Sequence, residues 1–86
     1  MANHLSAKKR IRQSKTRTDV NRARRSEMRS QVRNVEEAIE SGDKAAATTA
    51  MALATPALHR SSRKGLVHRN AAARKISRLT KSINAL

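Results

Sequence analysis

The sequence predicts an all-α protein, an antiparallel three-helix bundle with a long, projecting, basic N-terminal helix. Only two glycines occur in the 86 residues, Gly42 and Gly65, and each lies where a periodic apolar pattern stops. Elsewhere apolar residues recur at steps of three and four, the spacing of one helical face, and no segment alternates like a half-buried strand. We therefore expect one domain over residues 1–86, with helices at about 6–40, 44–64 and 69–85 joined by short loops.

The first predicted helix is unusually long, because residues 6–40 contain neither Pro nor Gly. At about 1.5 Å per residue such a helix reaches roughly 50 Å, more than the width of a domain of this size, so part of it must project. Its second half carries four apolar residues on one face: Met28, Val32, Val35 and Ile39. Between residues 6 and 25 the larger apolar residues are only Ile11 and Val20. The second half is therefore predicted to be buried, and the first half to lie outside the core.

Repulsion within that first half leads to a further expectation. Like charges one turn apart, such as Lys8 with Arg12 and Arg25 with Arg29, each cost a few tenths of a kcal/mol in an isolated helix. We expect the first half to be frayed in the isolated protein and to be ordered by an anionic partner.

The second helix is predicted from its cap and its composition. Asp43 is a good N-cap, and an alanine-rich stretch of high helix propensity follows it. Five residues share its apolar face: Ala47, Ala50, Met51, Ala54 and Leu58. Pro56 either kinks this helix or divides it. We expect a kinked continuation to about Lys64, because Gly65 is the next clear stop.

The third helix has the clearest apolar stripe in the chain. Its members step by four, three, four and three residues: Ala72, Ile76, Leu79, Ile83 and Leu86. The basic residues Arg74, Lys75, Arg78 and Lys81 fall off that stripe, which indicates an apolar face toward the bundle and a basic face away from it.

Charge is the strongest functional signal. The chain has 20 Lys and Arg against 6 Asp and Glu, a net charge of +14. Residues 1–33 carry 11 basic and 2 acidic side chains, residues 34–56 carry 1 and 4, and residues 57–86 carry 8 and none. Two basic segments thus flank a mildly acidic turn, as expected for a protein that binds a polyanion.

Catalysis, metal binding and cofactor binding are not predicted. There is no Cys, and His4, His59 and His68 are far apart in the sequence. The only carboxylate cluster lies in the acidic turn, where we expect a solvated surface with ion pairs: Glu36, Glu37, Glu40 and Asp43. No glycine-rich loop is present to hold the phosphates of a small-molecule substrate.

Membrane association is not predicted either. The sequence has no apolar run of signal-peptide length and no stretch of 18 apolar residues, so a cytoplasmic protein is expected. A membrane-active basic helix would need an apolar face opposite its charges, and residues 6–25 have none.

Nucleic-acid binding is the interpretation that the charges favour, because Lys and Arg neutralise phosphates and release counterions. The chain has no Phe, Tyr or Trp for base stacking, so we expect it to contact the backbone of structured RNA and few base edges. His68, Arg69 and Asn70 are the best candidates for specific hydrogen bonds, with helix capping as the alternative for His68 and Asn70.

Several motifs resemble one known family. They are SAKKR near the start, NRARRSEMR in the first helix, SGDKAAA at the first turn and RKGLVHRNAAARKISRL into the third helix. The chain resembles the bacterial small-subunit ribosomal protein S20 family over essentially its whole length. The resemblance implies a three-helix bundle that binds 16S ribosomal RNA directly, early in assembly of the 30S subunit. It also implies contacts with the five-prime domain and the penultimate stem of that RNA, with few protein neighbours.

The resemblance implies RNA contact at Lys8, Lys9, Arg10, Arg24, Arg25, Arg29, Lys64, His68, Arg69, Asn70, Arg74 and Lys75. Charge alone adds Arg12, Lys15, Arg17, Arg22, Arg63 and Arg78. The alternative is a non-specific DNA-binding nucleoid protein, which would bind duplex DNA as well as ribosomal RNA.

Overall fold

The structure is a computed structural model that describes residues 2–86, with side chains from residue 4 onward. It contains three helices, α1 (Ala2–Glu40), α2 (Lys44–Arg63) and α3 (Arg69–Asn84), and no strand within those residues. The all-α prediction is confirmed. Helix α1 begins four residues earlier than the expected start at Ser6, because the preceding residues include no helix breaker and the helix simply continues through them.

Both glycines end a helix in the same way. Gly42 has a φ of 77° and Gly65 a φ of 75°, the left-handed conformation in which glycine is favoured. After α1, the Gly42 N–H donates to the Ile39 carbonyl at 3.0 Å and the Asp43 N–H to the Ala38 carbonyl at 3.1 Å. This is the Schellman arrangement, and Gly65 repeats it at the end of α2. Asp43 then caps α2, because its carboxylate accepts from the Ala46 N–H at 3.0 Å.

Helix α2 passes through Pro56 without dividing, as the sequence predicted. Pro56 has no N–H to give to the carbonyl of Ala52. Both residues are exposed, so water can solvate that carbonyl. The cost of a proline within a helix is therefore reduced at this position.

The core lies at the end of the bundle that contains the α1–α2 loop. Val35 of α1 is completely buried there, against buried residues of the other two helices: Ala47, Met51, Ala54, Leu79 and Ile83. Small alanine side chains on α2 allow close approach of the neighbouring helix. The predicted stripe on α3 is confirmed except at Leu86, which is 42% exposed. Leu86 lies two residues beyond the end of α3, where helical periodicity no longer determines the direction of a side chain.

The first half of α1 projects from this bundle. The molecule measures 64 × 21 × 15 Å, much longer than it is wide. Ile11 is 68% exposed, and every residue from 4 to 20 is exposed. We call residues 4–20 the arm. The bundle thus holds the arm at one end and leaves its whole circumference available.

Candidate nucleic-acid interface

The arm presents basic side chains around most of its circumference. Six predicted site residues lie on it, all exposed: Lys8, Lys9, Arg10, Arg12, Lys15 and Arg17. At 100° per residue, Lys9, Arg10 and Arg12 point in three different directions around the helix axis. Such a helix can contact phosphates from several sides at once. A helix of this kind is better suited to lie between nucleic-acid helices than to lie on one flat surface.

Farther along α1, four arginines lie on one face of the helix. Arg22, Arg25, Arg29 and Arg33 step by three, four and four residues and form one exposed face, which we call the arginine stripe. Hydroxyl side chains of Thr18, Ser26 and Ser30 lie beside it, along the same shallow groove. Guanidinium groups at one-turn intervals can each bind a phosphate in a forked geometry. The residues predicted from the sequence did not include Arg33, although the periodicity of the other three arginines extends to it.

A second basic cluster lies between α1 and α2. Arg24, Arg60 and Lys64 line one pocket with Glu27 and the buried Ser61. Arg60 Nη2 donates to Glu27 Oε1 at 3.4 Å, and both side chains are more than half exposed. An exposed pair of this kind contributes little to stability, so Arg60 can also bind an external anion. The residues predicted from the sequence did not include Arg60 either, because its proximity to Arg24 arises only when α2 packs against α1.

Lys64 and Arg63 extend this cluster to the end of α2. Both are exposed, with Arg63 as the last residue of the helix and Lys64 as its C-cap. Basic side chains at a helix C-terminus also interact favourably with the helix dipole. Their position is therefore compatible both with a structural role and with phosphate binding.

At the start of α3, the capping alternative for His68 is found in the structure. His68 is the N-cap, and its Nδ1 accepts a hydrogen bond from the Asn70 backbone N–H at 3.1 Å. In the neutral imidazole with Nδ1 as acceptor, the ring proton is on Nε2. His68 can therefore cap the helix through one nitrogen while the other donates to an external acceptor. Asn70 contributes its backbone to the cap, and its side chain is exposed beside that of Arg69.

The remaining predicted residues lie along α3. Arg74 and Arg78 are exposed on the side of α3 away from the core, and Lys81 continues the same face. Lys75 differs, because its Nζ donates to Glu36 Oε1 of α1 at 2.7 Å. The structure therefore places Lys75 in a bridge between two helices, and RNA contact by Lys75 would compete with that bridge.

Within residues 2–86 no group of three or more His, Cys, Asp or Glu side chains is placed to hold a metal ion. No helix among these residues is both long enough and apolar enough to cross a lipid bilayer. Glu36 of the acidic turn forms an ion pair, in line with the expected solvated surface with ion pairs.

Comparisons with known proteins identify the family. The sequence model of ribosomal protein S20 matches residues 2–84. The small ribosomal subunit protein bS20 of Beijerinckia indica is 55% identical over 86 residues, which cover all of this chain and 99% of that protein. The proteins of the same name from Rhodopseudomonas palustris strain TIE-1 and Hyphomonas neptunium are 57% and 55% identical, and the match covers all of this chain and 98% and 99% of theirs. The chain therefore belongs to the ribosomal protein S20 family, as its motifs predicted, and it is a structural protein and not an enzyme.

Proposed function

We propose that this protein is a structural constituent of the small ribosomal subunit that binds 16S ribosomal RNA directly and supports early assembly of the 30S subunit. Membership of a ribosomal protein family gives it a location on the ribosome, in the cytoplasm. The observation that supports direct RNA binding best is the arm together with the arginine stripe: a basic helix that is exposed and unpacked over nearly half of its length.

The two halves of α1 suit two modes of contact. The arm is about 25 Å long and basic around most of its circumference, so more than one RNA helix can contact it. The arginine stripe offers charge on one side only and is suited to follow the backbone of a single RNA strand. Both modes recognise the positions of phosphates and the shape of the RNA, as expected for a chain without aromatic side chains.

Helix α3 and the end of α2 supply a second surface. Arg74 and Arg78 project from the side of α3 away from the core, and the Nε2–H of His68 can donate to a phosphate or a ribose hydroxyl. Because this surface and the arginine stripe lie on different helices, we propose that the protein bridges two RNA segments. The five-prime domain and the penultimate stem of 16S ribosomal RNA are the segments that we propose.

Sedimentation of tagged protein from bacterial cells tests this function. We expect the protein to co-sediment with small ribosomal subunits and to be released by high salt. A variant with Lys8, Lys9 and Arg10 all replaced by Gln should associate more weakly, because it loses three phosphate contacts while the bundle is untouched. Lys44→Gln, in the acidic turn, is the control and should behave as the wild type.

Hydroxyl-radical footprinting of 16S ribosomal RNA tests the location. Protection confined to the five-prime domain and the penultimate stem is the expected result. In the sedimentation experiment, protein found with chromosomal DNA and absent from the small subunits would contradict the proposal and favour the nucleoid alternative.

A further inference from the structure

An open apolar groove lies between α1 and α3, toward the α2–α3 loop, with a volume of about 370 Å³. Its floor is made by Met28, Val32, Leu58, Val67 and Ala71. Leu58 is buried, whereas Met28, Val32, Val67 and Ala71 are only partly covered. The groove is within the range of about 300–1,000 Å³ that is usual for small-ligand sites. This chain therefore leaves uncovered, next to its small core, an apolar surface that its own helices do not fill.

The rim of this groove is positively charged. Arg29 and Arg33 of the arginine stripe stand on its α1 side, and Lys75 stands on its α3 side. Glu36 also lies on the rim, but it is paired with Lys75 at 2.7 Å. The α1 side of the rim thus retains two guanidinium groups, Arg29 and Arg33, which form no ion pair with an acidic side chain of residues 4–86.

The combination of an apolar floor and a cationic rim selects for an occupant with an apolar, flat part and anionic flanks. We propose that the groove receives one unstacked nucleotide of the bound RNA, with its base on the floor and its flanking phosphates on Arg29 and Arg33. This inference rests on the proposed RNA-binding function and adds a base-accepting site to it. It also departs from the expectation of few base contacts that the absence of aromatic residues suggested.

The groove supplies a substitute for an aromatic platform and a binding group for a phosphate. The Met28 thioether is polarisable and makes favourable contacts with π systems. The planar guanidinium of Arg29, on the rim, can bind a flanking phosphate in a forked geometry. An unpaired base exposes its faces and edges, whereas a base in a duplex has its faces covered by its neighbours. The groove therefore selects loops, bulges and ends of the RNA over continuous duplex.

Filling the groove tests this inference. Ala71→Leu adds a larger side chain at a partly covered position of α3, and Ala73→Leu adds the same side chain at an exposed position of the same helix as a matched control. Binding to a transcript of the five-prime domain is measured with all three proteins, together with their melting temperatures. We expect Ala71→Leu to bind about tenfold more weakly than the wild type and Ala73→Leu to bind equally well. Equal affinity of Ala71→Leu and wild type would overturn the proposal, and would also be the outcome if the groove received an acidic peptide instead.

Crosslinking supplies a second test that does not depend on the stability of Ala71→Leu. The chain has no Cys, so Val67→Cys places a single thiol on the groove floor for a photoreactive reagent, and Leu53→Cys places one on an exposed part of α2 as the control. We expect Val67→Cys to crosslink to one unpaired nucleotide that Leu53→Cys does not reach. Crosslinks from Val67→Cys only to paired nucleotides, or none, would overturn the groove site alone. Failure of the wild-type protein to bind the transcript would overturn both the groove site and the proposed function, so the two failures are distinguishable.

Discussion

Replacement of Arg22 and Arg25 by Ala should reduce the salt dependence of RNA binding by a calculable amount. Both arginines are exposed members of the arginine stripe, and neither lines the apolar groove. Each phosphate contact contributes about 0.7 to 0.9 to the slope of log K against log salt concentration. The double variant should therefore have a slope smaller by about 1.4 to 1.8. Between 50 and 200 mM salt, the wild type should lose about tenfold more affinity than the variant.

The two substitutions should not lower the stability of the folded protein. Arg25 and Arg29 are like charges one turn apart, so removal of Arg25 relieves a repulsion of a few tenths of a kcal/mol. Titrations of RNA at four or five salt concentrations give the slope. Circular dichroism of the free proteins reports whether the fold is retained. The control is the variant with Lys at both positions, which keeps the charges and should keep the slope. An Ala variant with the wild-type slope, or a Lys variant that loses as much slope as the Ala variant, would refute the assignment of these residues to phosphate contacts.

Three further predictions concern the scaffold. Leu79→Asp should unfold the bundle by placing an unpaired carboxylate in the core, and full helicity by circular dichroism would contradict the core assignment. His68→Ala should lower the free energy of unfolding by about 1 kcal/mol in urea titrations because the cap of α3 is lost, whereas His68→Asp should retain the cap; equal losses would rule out capping as the cause. Gly65→Ala should cost about 1 kcal/mol because its φ of 75° disfavours a side chain, and unchanged stability would show that the α2–α3 turn adopts another conformation.

Much of the fold could be predicted from local signals. Gly42 and Gly65 marked the helix ends because the left-handed conformation at a helix end favours glycine. The apolar stripes marked the buried faces because helical periodicity fixes which side chains share a face. The predicted start of α1 at Ser6 was wrong because no helix breaker precedes Ser6, and the helix continues through the residues before it. The prediction that Leu86 belongs to the buried stripe was wrong, because Leu86 follows the spacing of the stripe but lies past the end of α3.

The parts of the candidate interface that could not be predicted depend on contacts between helices. Arg60 and Glu27 are 33 residues apart in the sequence and meet only after α2 packs on α1. The apolar groove combines residues of all three helices with Val67 from a loop, and no periodicity relates them. The bridge from Lys75 to Glu36 spans 39 residues and likewise has no local signature. Charge density predicted an anionic partner, whereas the division of the basic residues into the arm, the arginine stripe and the surface formed by α3 with the end of α2 required the structure.

The measurement that tests the central claim most directly is a comparison of two ligands over a salt series. The protein is titrated with a transcript of the five-prime domain of small-subunit ribosomal RNA and with duplex DNA of equal length. Both affinities should fall steeply with salt, so the slope alone does not separate the two functions. Preference for the RNA by about 100-fold or more, roughly 2.7 kcal/mol, is the result that we predict. Equal affinities for the two ligands would contradict recognition of RNA shape and would favour a DNA-binding nucleoid protein.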